Sequence, residues 1–215
     1  DQLLYWDEIL ADRGSLIIYA RIAAIQEMER IAAEFHEKLT RREEVLRLVY
    51  QPAYDPARPQ NGQMGLPIQT PVQRNGIPMA QIRQGFVERL SAIRGEEIAR
   101  GMTTIGPHRD ELRFLGNGRD LGDYGSRGQM RTALLALKLA EVQWLKQRTG
   151  QNPVLLLDEI LAELDVQRRS DLLNTLLDVD QALFTTTDLN LFDPSFVEQC
   201  AVWRVSSGKV QPELD

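Results

Sequence analysis

The sequence has 215 residues, 43% hydrophobic and 26% charged; this excludes a disordered chain and supplies one sizeable core or two small ones. Its net charge of -6 excludes a uniformly basic nucleic-acid binder. No apolar run reaches the roughly 18 residues that a membrane-spanning helix needs, and the opening residues 1–8 lack the basic-then-apolar order of a secretory signal.

The expectation is a soluble, cytoplasmic chain. Cys200 is the single cysteine, which excludes an internal disulfide framework and a cysteine-built metal site; it is expected to be a small buried hydrophobe. The average charge hides an asymmetry: residues 51–153 carry 14 Lys/Arg against 9 Asp/Glu, whereas residues 154–215 carry 4 against 12. A local surface that contacts phosphates and an ordinary mixed solvated surface both fit this pattern. The chain opens on Asp1, without methionine and in what reads as the middle of an element, and is expected to be a portion of a longer protein.

Between residues 17 and 49 there is no Gly or Pro, and Ile18, Ile22, Ile25, Met28, Ile31, Ala32, Phe35, Leu39, Val45 and Leu46 recur at helical spacing. This predicts one long amphipathic helix, or two with a break near Thr40. The opposite face balances 6 basic against 6 acidic residues from Arg21 to Arg47, as a solvated helix does. Two such helices make an arm; a helix packed on the core fits the same pattern. His36 is expected at the surface. Residues 48–54 read as a strand, and the Pro and Gly that follow predict a long irregular loop over 51–78. Residues 79–100 form a helix, with Ile82, Phe86, Leu90 and Ile93 on one side and Gly101 as its stop.

Residues 112–115 read as a strand leading into the tight turn Gly116-Asn-Gly-Arg119. A helix over 132–148 follows. Val154-Leu-Leu-Leu-Asp158 is a continuous apolar run closed by acids, as a buried parallel strand is; a helix over 166–177 and a strand over 181–187 complete the unit. The second half is therefore α/β with a parallel sheet.

Three elements carry chemistry. Asp158 and Glu159 stand at the carboxyl end of a strand, where open α/β sheets place their ligands; such acids serve magnesium and the attacking water in phosphoryl transfer, or merely cap the next helix. Gly125-Ser-Arg-Gly-Gln129 runs into a helix, presenting N–H groups and a hydroxyl at a positive end that suits phosphate; a plain cap at Ser126 is the alternative. Ala162-Glu-Leu-Asp165 precedes a further helix, where Asp165 is a natural N-cap. No G-x-x-x-x-G-K-[ST] loop occurs, since Gly208-Lys209 lacks its partners, so these residues alone are not expected to hydrolyse ATP.

In order and spacing the three elements resemble the ABC class of ATPases. With Gly106-Pro-His-Arg-Asp110, the Gly116–Arg119 turn, Tyr124-Gly-Ser-Arg-Gly-Gln-Met-Arg-Thr132, Leu155-Leu-Leu-Asp-Glu159 and Thr185-Thr-Thr-Asp188, they resemble the RecF type of bacterial recombination-mediator ATPases. The likeness is close over residues 101–190 and only architectural over 1–100. It implies an α/β fold: residues 101–215 as the carboxyl-terminal lobe of an ABC-type head, and residues 1–100 as a helical arm subdomain with the 51–78 loop. It implies ATP and Mg2+ as cofactors, in a homodimer whose signature loop acts in trans on the partner's nucleotide. Ser126, Arg127, Gly128 and Gln129 would bind nucleotide, Asp165 would meet it across the interface, Asp158 would serve the metal and Glu159 would position water. It implies double-stranded and gapped DNA, RecR and, indirectly, RecA as partners, in DNA repair. A non-hydrolysing DNA-binding scaffold is the alternative, and a transporter nucleotide-binding subunit a weaker one, because Thr187-Asp188 stands where transporters carry a histidine. His108 and Arg109 fit a loop that reports on nucleotide or DNA, or a structural hydrogen-bonding turn.

Overall fold

The computed structural model describes residues 2–57, 74–176 and 179–212. Most of the 51–78 loop, at 58–73, lies outside the described residues, as does Leu177, the expected last residue of a helix.

Helix α1 spans Gln2–Leu39, starting before and ending ahead of the expected 17–49. It closes at Thr40, whose N–H and hydroxyl both donate to the His36 carbonyl, and Arg41 and Arg42 then take left-handed φ of 51° and 66°. No second helix follows. Val45 and Leu46, read above as helical positions, lead into strand β1, Leu46–Gln51. The alternation of buried Leu46, Leu48 and Tyr50 with their neighbours is a period of two, and it overrides the helical spacing that Leu46 shares with Leu39.

Helix α2, Met79–Arg100, ends at Gly101 in the left-handed conformation, as the sequence predicts. Strand β2, Glu111–Gly116, pairs antiparallel with β1 along its whole length and, through a hairpin, with β3, Arg119–Asp120. Asn117 and Gly118 turn that hairpin with φ of 49° and 78°, the Asn-Gly signature of a type I′ turn. Short helix α3, Leu121–Tyr124, leads into α4, Arg127–Thr149. Strand β4, Leu155–Asp158, helix α5, Val166–Leu176, and strand β5, Ala182–Thr185, form the expected parallel unit, with Asp158 opposite Thr185. Beyond helix α6, Pro194–Val197, a hairpin of β6, Trp203–Ser206, and β7, Lys209–Pro212, closes the described chain. Its Ser207-Gly208 turn, with φ of 49° and 76°, is a hairpin turn, so Gly208-Lys209 serves the β6–β7 connection.

Two apolar clusters hold these elements. Near its start, α1 packs Ala11 and Ile18 against Ile82, Phe86 and Leu90 of α2, with Tyr54 stacked on Phe86 at 5.0 Å. Near its end it packs Ile31, Ala32 and Leu39 with Ala136 and Leu139 of α4, Leu157 of β4 and Leu172 of α5. Each fully buried large side chain contributes about 1.5–3 kcal/mol. Two residues depart from expectation. His36 is buried, not at the surface, because it sits one helical turn beyond Ala32 on the core-facing side. Cys200 is exposed: the turn after α6 leaves it outside both clusters, with its thiol directed at the Phe196 carbonyl at 3.2 Å.

Candidate functional site

The turn before α4 is built from the backbone outward. Asp120 caps α3 through the amides of Gly122 and Asp123, and Arg113 pairs with both Asp120 and Asp123. The chain then folds back so tightly that a Cβ on Gly125 would lie 2.4 Å from the Leu121 carbonyl oxygen; only glycine fits. Ser126 follows as the N-cap of α4 in a reciprocal capping box. Its hydroxyl oxygen accepts the Gln129 amide at 3.2 Å, and its own N–H donates to the Gln129 side-chain oxygen at 2.9 Å. This box carries the helix back to Arg127, five residues ahead of the expected start at Thr132, where apolar periodicity alone begins.

The cap satisfies two of the orphan donors. The amides of Arg127 and Gly128 keep no intrahelical partner, and among the described residues the Ser126 hydroxyl proton has no acceptor. These donors sit at the positive end of a 23-residue helix.

Arg168 of α5 joins this turn to Asp165. Its backbone N–H donates to Asp165 Oδ1 at 2.9 Å, and its guanidinium lies 3.5 Å from Asp165 Oδ2. The same guanidinium passes so close to α4 that a Cβ on Gly128 would meet Nη1 at 2.9 Å. Asp165 is thus the N-cap that the sequence anticipates, and it is also brought beside the first turn of α4. Arg168 was not singled out in the sequence, where it is one arginine of an ordinary polar helix face.

Asp158 and Glu159 behave differently from the two caps. Thr185 of β5 donates its hydroxyl to Asp158 Oδ1, leaving the second carboxylate oxygen open. Glu159 occupies the left-handed region, φ 50° and ψ 17°, with no capping hydrogen bond from its side chain; its N–H is held by the Thr185 carbonyl and hydroxyl, each at 3.2 Å. That conformation costs a non-glycine residue roughly 1–2 kcal/mol. Neither carboxylate caps the turn at Ile160–Glu163, so the capping alternative, which holds for Ser126 and Asp165, does not hold here. Among the described residues no hydrogen bond or ion pair joins this acid pair to the Ser126 turn, and no three His, Cys, Asp or Glu side chains converge as a metal cage. Magnesium asks for less: one or two carboxylates beside phosphate oxygens and water, and Asp158 with its open oxygen fits that share.

His108 and Arg109 are exposed on a single 3-10 turn, Pro107–Arg109. The side chain of the adjoining Asp110 is buried and clamps two elements and the segment after β1. It accepts from Arg21 of α1 at 2.8 Å, from the Tyr50 hydroxyl of β1 and from the Ala53 amide at 2.9 Å.

No family model matches the chain. It is 37% identical over 214 residues to the DNA replication and repair protein RecF of Chloroflexus aurantiacus, covering 97% of this chain and 49% of that protein. To the RecF of Ligilactobacillus salivarius it is 33% identical over 206 residues, covering 96% and 50%. Among solved structures it resembles the recombination mediator protein RecF-ATP of the RecFOR pathway, with TM-score 0.74 and 27% identity over 100% of this chain and 51% of that one. The chain spans about half the length of the relatives it matches. Nearly the whole chain thus matches RecF proteins in sequence and in fold, and it corresponds to the carboxyl-terminal portion of such a protein.

Proposed function

We propose that this chain supplies the trans-acting part of an ATP site in a DNA-repair ATPase that mediates recombination, and that the Ser126 turn of one subunit closes on nucleotide held by another. The carrying observation is the capped start of α4. It keeps the Ser126 hydroxyl proton and the Arg127 and Gly128 amides available at a positive helix end, with Asp165 tied to it through Arg168, while no phosphate-loop lysine occurs in the 215 residues. A γ-phosphate docked there meets donors already in place, so little reorganisation opposes binding. Gln129 acts through its cap on Ser126, and the exposed Arg127 adds positive charge.

Hydrolysis transfers the γ-phosphoryl group to water. Bound magnesium would neutralise charge on the phosphate oxygens. Asp158 would hold the metal or its water shell with the oxygen that Thr185 does not engage, while Thr185 fixes the other. Glu159, whose carboxylate is not engaged in a cap, orients the attacking water and accepts its proton. The relatives, DNA replication and repair proteins, and the solved RecF-ATP structure support the reading of a DNA replication and repair protein that binds ATP. We extend that to a homodimer acting on double-stranded and gapped DNA with RecR, and indirectly with RecA.

The test uses the complete protein that contains this chain. Ser126→Arg is expected to leave ATP binding by monomers intact and to abolish ATP-driven dimerisation. Glu159→Gln is expected to lower turnover by at least about 100-fold while keeping ATP and the dimer. A mixed dimer of one Ser126→Arg subunit and one subunit lacking its phosphate-loop lysine retains one sound composite site, because both lesions fall at the other, and should recover ATPase activity. Absence of recovery, with dimers present, would refute action in trans. A wild-type protein that binds ATP and dimerises without turnover would instead be the scaffold.

A further inference from the structure

Beside the Ser126 turn, the largely covered acid Glu44 meets the buried histidine His36, and the nucleotide reading uses neither. His36, on the last turn of α1, is fully buried, and neither of its ring nitrogens has a hydrogen-bond partner among the described residues. Its Nε2 stands 3.8 Å from Glu44 Oε2, an oxygen that is likewise buried and without a hydrogen bond. The other carboxylate oxygen, Oε1, accepts the Gln129 side-chain N–H at 2.9 Å. Gln129 then spends its side-chain oxygen on the Ser126 N–H. The contacts run unbroken from the end of α1, through the turn before β1, to the cap of α4.

An amide side chain has a donor end and an acceptor end of almost the same shape, so a glutamine in a capping box can sit either way round. One way, its oxygen meets the Ser126 N–H. The other way, two N–H groups face each other and the cap is lost. A carboxylate has no proton to donate and admits only the donor end of the amide. Glu44 therefore selects the orientation in which Ser126 is capped, and its other oxygen stands 3.8 Å from the buried His36 ring.

We propose that Glu44, backed by His36, is a positioning residue for the Ser126 turn: it locks the Gln129 amide with its oxygen toward Ser126, so the turn keeps the one geometry in which the Ser126 hydroxyl proton and the Arg127 and Gly128 amides stay open to a ligand. The functional half of this statement rests on the nucleotide reading above; the structural half does not. Arg168, which lies beside Gly128 and holds Asp165, bears on His36 with its positive charge from the α5 side. The pair is thereby set between the two segments assigned to the nucleotide.

Glu44→Met and Glu44→Gln are close in size and differ in whether an acceptor remains. In the complete protein, Met at this position should speed hydrogen exchange of the Ser126 amide about tenfold, the loss of one bond to a charged acceptor, and weaken ATP-driven association by a similar factor. Gln at this position keeps an acceptor but adds a donor that also admits the reversed amide, so it should recover each effect only in part, between the parent and the Met variant; a packing role alone would leave the two variants alike. In the unsubstituted protein, the Gln129 side-chain N–H protons should exchange more slowly than those of the exposed Gln147, a comparison that holds even where the Met variant fails to fold. Equal exchange of Gln129 and Gln147, or unchanged Ser126 exchange in folded Glu44→Met, overturns the inference. It is overturned too if Ser126→Arg abolishes association and Glu44→Met leaves it untouched. If Ser126→Arg itself leaves association unchanged, the nucleotide reading falls instead, and exchange at Ser126 alone decides on Glu44.

Discussion

Burial pushes the His36 imidazole below the ordinary histidine range, against the opposing pull of Glu44 and with the Arg168 charge adding to the depression. The unfolded chain, free of that environment, holds its proton up to about pH 6.5. Between that value and the lower folded one, the unfolded state binds more protons than the folded state. Stability therefore rises with pH across this window, is complete above it and is lost on acidification, with a slope of up to about 1.4 kcal/mol per pH unit. His36→Gln should flatten urea-derived stability between pH 5 and 7, and His108, the only other histidine and an exposed one, should not when replaced. An acid slope in His36→Gln equal to that of the parent would refute the assignment. The position was legible in principle, because His36 follows Ala32 by four residues on a stripe that ends at Leu39. Residue type argued for the surface, and a lone histidine carries no mark of the acid eight residues on that meets it only after the chain has turned.

At the scale of elements, local chemistry fixed the boundaries wherever a cap or turn was written into the residues. Gly101 stops α2, Asn117-Gly118 turns the hairpin, and Ser126 with Gln129 is a capping box three residues apart. Where two periods overlapped, at Val45 and Leu46, helix and strand were not separable until the tertiary partner β2 settled the matter. What joins the elements is less visible in the sequence. Asp110, read above as one residue of a motif, holds α1, β1 and the segment after β1 with a side chain 3% exposed. Burial, with the Asp110 hydrogen bond adding to it, drives the Tyr50 phenol far above its ordinary range. Asp110→Ala should destabilise the chain by about 3 kcal/mol, since it strands a buried hydroxyl and an amide and unpairs Arg21. Arg21→Ala should cost less than half as much, because the half-exposed arginine leaves Asp110 two donors. Equal losses in urea denaturation would show that the ion pair, not the hydrogen-bonded acid, holds the elements together.

For the molecule as a whole, the run Val154-Leu-Leu-Leu-Asp158 announced a strand buried on both faces, and only one face is covered. Leu155 and Leu157 are buried, while Leu156 is 71% exposed and its partner across the parallel pair, Leu183, 50%. Asp158 and Thr185 lie on that same open face, two residues further along. The β6–β7 hairpin is likewise exposed along both strands. Parallel sheets are seldom left bare, and exposed apolar faces of this kind mark surfaces that become covered. The chain spans about half the length of its relatives, so the remainder of the complete protein is the expected cover, and the acid pair would then lie at its edge. The chain alone should bind an apolar dye such as ANS, and the double change Leu156→Lys with Leu183→Lys should reduce that binding while altering its stability by no more than about 0.5 kcal/mol. In the complete protein the same pair should cost about 3 kcal/mol or more, because two charges would be driven into a dry interface. If the complete protein tolerates both lysines as well as the isolated chain does, this face stays in water and Asp158 acts from an open surface.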